Sequence, residues 1–123
     1  METNKKILVV DDEPDVLKVL EKRLMNEGYQ VIKADNGRRA LMLAEKENPD
    51  LVILDIDMPD MDGGEVAARL KDGDKTKHIP VLFLSCLVTE KDENDHNVVG
   101  DSMFMAKPYS PDKLIREIQK LTT

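Results

Sequence analysis

Five short apolar segments punctuate the chain, and amphipathic stretches separate them. The strand-like segments are KILVV (6–10), YQVIKA (29–34), LVILD (51–55), VLFLS (81–85) and SMFMA (102–106). The first, third and fourth are continuous apolar runs, as parallel strands covered on both faces require. YQVIKA mixes polar with apolar positions, the pattern of an edge strand, and SMFMA suits the other edge.

Between these runs the period changes to that of a helix. From Pro14 to Glu27, Val16, Leu17, Leu20 and Leu24 recur on one face; Pro14 suits a first turn and Gly28 a stop. Asn36 can cap a second helix that turns Ala40, Leu41 and Ala44 inward and ends near Asn48-Pro49. A third begins near Gly64 and buries Val66, Ala67 and Leu70. The last is the clearest, with Ser110 as cap, Pro111 at the first position, and Leu114, Ile115, Ile118 and Leu121 in one stripe. TEKDENDHNVVG (89–100) is almost wholly polar up to Val98, so a fourth helix there has little to bury and is expected to be short or mobile.

Alternating strands and helices with short connections imply right-handed crossovers and a three-layer, doubly wound α/β sandwich. The pattern predicts a five-stranded parallel sheet of order 2-1-3-4-5 with five helices. At 123 residues, one domain over 1–123 is expected.

Composition narrows the function. A hydrophobic share of 41% builds one core, and 35% charged residues covers it. No eighteen-residue apolar run exists to span a membrane, and METNKKILVVDDE is unlike a signal peptide. The single cysteine, Cys86, cannot form an intramolecular disulfide, which fits a cytoplasmic protein. A net charge of -7 argues against direct nucleic-acid binding, and 3% aromatics without Trp leaves no stacking platform.

The chemistry lies where the strands end. ILVV ends in Asp11-Asp12, LVIL in Asp55, VLFL in Ser85 and MFMA in Lys107. Parallel strands deliver these endings to one edge of the sheet, where open α/β folds bind ligands. Clustered carboxylates disfavour one another's ionisation, and a hard cation relieves this. Mg2+ takes oxygen ligands and is commonly held by one or two carboxylates plus a phosphate. The set reads as a pocket for phosphate and Mg2+, with Lys107 a second positive charge and Ser85 a neutral donor.

VDDE (10–13), LDIDMPDMDG (54–63), IPVLFLS (79–85) and AKPY (106–109), in that order, resemble the receiver domain of two-component response regulators over essentially the whole chain. Ser85 lies thirty and Lys107 fifty-two positions after Asp55. The resemblance implies a flavodoxin-like fold and a signalling phosphoprotein, not an enzyme beyond its own phosphorylation and dephosphorylation. It implies that Asp55 accepts a phosphoryl group from a sensor histidine kinase or phosphotransfer protein. Asp12 would ligate Mg2+ directly, Asp11 through water, and Asp57 through its backbone carbonyl. Lys107 would pair with Asp55 and then with its phosphoryl group. Ser85 would hydrogen-bond a phosphoryl oxygen while Phe104 turns inward, and Pro108 would follow a cis bond. The switching face would be 86–122, where homodimerisation stays open, as do the kinase, the signal, the downstream effector and whether the chain is a piece of a longer regulator. Cys86 and Leu87, beside Ser85, would hinder the hydrolytic water.

Singly, each residue has a blander explanation. Asp11-Asp12-Glu13 before Pro14 suits a helix N-terminus, Asp55 a turn, Ser85 a strand end, Lys107 a solvated surface, and Phe104 and Cys86 the core. His78 and His96 have no partner at ligand spacing, and Asp60 and Asp62 shape a turn before Gly63. The ordered set favours function. The rival is a haloacid-dehalogenase-like phosphatase, whose motif LVILDIDMP resembles, with Asp55 as nucleophile and Asp57 as general acid. That motif expects its acidic pair downstream, whereas here it lies upstream. A calcium loop fails because Met58 stands where it needs Asp.

Overall fold

Continuous apolar runs form strands here because helices cover them on both sides. The computed structural model describes residues 5–55, 61, 63–85, 98–99, 102–106 and 111–122, with 85, 98–99, 102–106 and 111 as backbone only. The elements are β1 (Lys6–Val10), α1 (Pro14–Asn26), β2 (Gln30–Ala34), α2 (Gly37–Glu47), β3 (Leu51–Asp55), α3 (Gly63–Asp72), β4 (Val81–Ser85), β5 (Val98–Val99), β6 (Ser102–Ala106) and α4 (Pro111–Thr122).

The sheet order is β2-β1-β3-β4-β6-β5. The five expected strands are all parallel and stand in the expected sequence. Alternate residues of β1 serve opposite faces. Leu8 and Val10 join Val52, Leu54, Val81 and Phe83 under α2 and α3. Ile7 and Val9 join Leu51, Ile53, Leu82 and Leu84 under α1 and α4. Buried side chains of this size each stabilise the fold by about 1.5–3 kcal/mol relative to exposure.

Helix limits follow local chemistry. Pro14 opens α1, where its missing N–H costs nothing. At the other end Gly28 adopts φ 92°, its N–H reaches Met25 O, and the Tyr29 N–H reaches Leu24 O. This left-handed stop packs Tyr29 and Leu24 in one cluster, so Tyr29 belongs to the turn after α1 and β2 begins at Gln30. The Asn36 side chain accepts the Arg39 N–H at 2.8 Å, and Asn48, left-handed at φ 49°, closes α2 before Pro49. In α4, Leu114 and Ile118 are buried, and Ile115 and Leu121 flank them.

Two expectations need correction. Among the described residues there are four helices, not five, and six strands, not five. Where the fourth helix was expected, Val98 and Val99 instead pair antiparallel with Met103 and Ser102. Two β-branched residues without an amphipathic neighbourhood have nothing to gain from a helix, and the β6 edge offers them backbone partners. The rest of 89–100 lies outside the described residues.

Candidate functional site

Register brings the acids together. Val10 is the partner of Leu54 across β1 and β3, so Asp11 and Asp55 leave the sheet side by side. Both are nearly inaccessible, at 2% and 5% exposure, whereas Asp12 is exposed. One carboxylate oxygen from each of Asp11, Asp12 and Asp55 lies within 4.8 Å of the other two.

The first acidic loop is held by its own backbone. The Asp11 N–H donates to Ala34 O at 3.1 Å, which carries the β1–β2 pairing one residue past the strands. The Asp11 carboxylate accepts the Glu13 N–H at 2.9 Å, a local turn that fixes its direction. Glu13 makes no side-chain cap on α1, so the helix begins with acids at its N-terminal end, where the dipole favours negative charge.

The donor set suits magnesium. Octahedral Mg2+ bonds near 2.1 Å place adjacent ligand oxygens about 3 Å apart and opposite ones about 4 Å apart. A spread of up to 4.8 Å admits such an ion with one carboxylate held through water. Three hard oxygens, two on buried residues and one open to solvent, leave room for the waters that Mg2+ retains.

The other strand tips are level with these. Asp55 is the partner of Leu84, and Ser85 that of Ala106, so β3, β4 and β6 end together at the same edge. The Ser85 and Phe104 side chains, with Asp57, Cys86, Leu87, Lys107 and Pro108, lie outside the described residues. Edge strand β2 contributes no acid, but its final turn supports the site in a way the sequence reasoning missed. Ala34 O receives Asp11, and Gly37 lies against Met61 and Val66.

The model for the response regulator receiver domain matches residues 7–119. A probable transcriptional regulator ycf27 from Porphyra purpurea is 40% identical over 131 residues, covering all of this chain and 53% of its own length. The chain therefore spans about half the length of such relatives. The chemotaxis protein CheY4 of Vibrio cholerae superposes with a TM-score of 0.84 at 29% identity, over 97% of this chain and 99% of that one. The receiver domain of the sensor histidine kinase PA1611 from Pseudomonas aeruginosa, solved with a magnesium ion in its active-site cleft, gives 0.83 at 25% identity over 98% of both chains. None of this supports the phosphatase alternative: the acids clustered with Asp55 come from the upstream β1, not from a downstream pair.

Proposed function

Because this chain belongs to the response regulator receiver domain family of two-component signalling, we propose that it accepts a phosphoryl group onto Asp55 from a histidine kinase or phosphotransfer protein, with Mg2+ bound by Asp11, Asp12 and Asp55. An Asp55 carboxylate oxygen forms the new O–P bond as the N–P bond to the donor imidazole breaks, and the electron pair leaves with that ring. Magnesium, when bound, supplies positive charge against the phosphoryl oxygens. Asp11 and Asp12 orient that charge, and the Asp57 carbonyl completes the ligand set. Lys107 offers a second cation and Ser85 donates to a phosphoryl oxygen, with Pro108 proposed to follow a cis bond. The phosphoryl group adds about -1.5 to -2 charges and three acceptor oxygens. Contacts to it that differ between two states of Ser85 and Phe104 carry the signal to the 86–122 face, where an effector or second copy reads it. The setting is the cytoplasm.

The observation that carries this reading is the cluster of three carboxylates within 4.8 Å at the carboxyl ends of β1 and β3. Intact-mass analysis after acetyl phosphate tests it. The expected result is one added phosphoryl group, dependent on Mg2+ and absent in Asp55→Asn. Undiminished labelling of Asp55→Asn would overturn the assignment.

A further inference from the structure

The turn from β2 into α2 carries no member of the acidic set, yet it touches both loops that do. At its start, Ala34 O holds the Asp11 N–H at 3.1 Å. Three residues later Gly37, buried in the first turn of α2, sits against Met61 and Val66. Met61 is half-buried, follows Asp55 by six residues on the connection from β3 to α3, and packs on the cluster that contains Val10, Ala34 and Leu54. Those three residues immediately precede Asp11, Asp35 and Asp55.

The approach is too close for any side chain. A Cβ on Gly37 would stand 2.8 Å from Met61 Cβ, 3.0 Å from Met61 Sδ and 3.0 Å from Val66 Cγ2. Met61 Cβ is fixed to its backbone, so a rotamer change cannot clear the first contact; the backbone at Met61 or at the start of α2 must shift. Gly37 is not in the left-handed region, where only Asn48 and Gly28 are found among the described residues. Its missing Cβ therefore serves the contact and not the backbone angle.

We propose that Gly37 is a positioning residue for the magnesium and phosphoryl site: by letting α2 seat directly on Met61, it fixes the β2–α2 turn and, through Ala34 O, the backbone of Asp11. This rests on the proposed receiver chemistry. Gly37 touches no reacting atom and acts through the placement of Met61 and, by way of Ala34, of Asp11. Supports of this kind, one layer behind metal ligands, commonly govern affinity by one to two powers of ten.

The molecule holds its own control. At Gly73, beyond α3, a Cβ would meet Thr76 Oγ1 at 2.5 Å, where that hydroxyl donates to Leu70 O at 2.6 Å. Gly73→Ala therefore imposes a clash away from the acids, which Thr76 relieves by turning its hydroxyl at the cost of its bond to Leu70 O. Calorimetric Mg2+ titration and thermal midpoints in EDTA would be measured for the unmodified chain, Gly37→Ala, Gly73→Ala and Met61→Ala. Gly37→Ala is expected to weaken Mg2+ on the order of tenfold, and Met61→Ala, which loosens the same contact from the other side, by a smaller factor. Gly73→Ala is expected to lower the midpoint and leave Mg2+ affinity unchanged. Adding Met61→Gly to Gly37→Ala removes the clashing Cβ and is expected to recover affinity without recovering the midpoint.

If Gly37→Ala fails to fold, Met61→Ala decides. Unchanged Mg2+ affinity in Met61→Ala and in any folded Gly37→Ala, with normal binding by the unmodified chain, overturns the positioning role and leaves the proposed function standing. No Mg2+ binding by the unmodified chain overturns both.

Discussion

Asp12 and Asp11 are neighbours with opposite surroundings. Asp11 is buried and its carboxylate is bound to the Glu13 N–H, while Asp12 is exposed. Replacing an exposed carboxylate by its amide removes a negative charge with little change in packing. Asp12→Asn is expected to change metal-free stability by no more than about 0.5 kcal/mol while weakening Mg2+ at least about tenfold. Urea unfolding in EDTA, paired with Mg2+ titration, measures both; a parallel loss of stability and affinity would mean that Asp12 is a fold residue. At this scale the acids were legible because each ends a buried run, and a charge in that position needs a reason. Gly37 and Met61 were not. Their contact joins residues 24 positions apart in sequence, one in the first turn of α2 and one just before α3, and nothing in ADNG or in DMDGG announces a missing Cβ as a space-filling requirement.

Elements were legible where punctuation and period agreed. Pro14, Gly28, Asn36 and Asn48-Pro49 each bound a helix for a stated stereochemical reason, and the structure places the helix ends there. The cap at Asn36 supports a direct test. Its side-chain oxygen accepts the Arg39 N–H at 2.8 Å, so Asn36→Ala is expected to cost about 1 kcal/mol and Asn36→Asp to retain most of it. Chemical denaturation at equilibrium distinguishes the two, and equal losses would remove the cap from the explanation. The short β5 was the element misread. Gly100-Asp101, between the β-prone pair Val98-Val99 and the run from Ser102, is a two-residue hairpin signal. It was outweighed by reading the whole of 89–100 as one polar segment, short or mobile, with little to bury.

On the scale of the whole molecule, the two clusters that sandwich the sheet are fed by alternate described side chains of β1, β2, β3 and β4, each strand facing into one and then the other. β1 is hydrogen-bonded to β2 on one side and β3 on the other, and β3 lies between β1 and β4. β2 has a neighbour on one side only, and its outward-facing Lys33 pairs with Glu21 at 3.1 Å. The two strands that bear Asp11 and Asp55 are thus interior members of the sheet. Among the described residues no helix is long and apolar enough to cross a membrane.

That interior position has a kinetic consequence. In deuterium oxide, main-chain amides of Leu8, Val10, Val52 and Leu54 can surrender their protons only when the entire domain opens, because no partial opening uncovers a strand flanked on both sides. Solvent isotope uptake at these four is therefore expected to share one slow rate that tracks global stability under mild denaturant, while the flank formed by residues 30–34 exchanges sooner. Faster uptake at Val10 or Leu54 than along that flank would contradict this. The anchor points of the carboxylates thus persist through every lesser fluctuation, and peripheral breathing leaves their separation as it was.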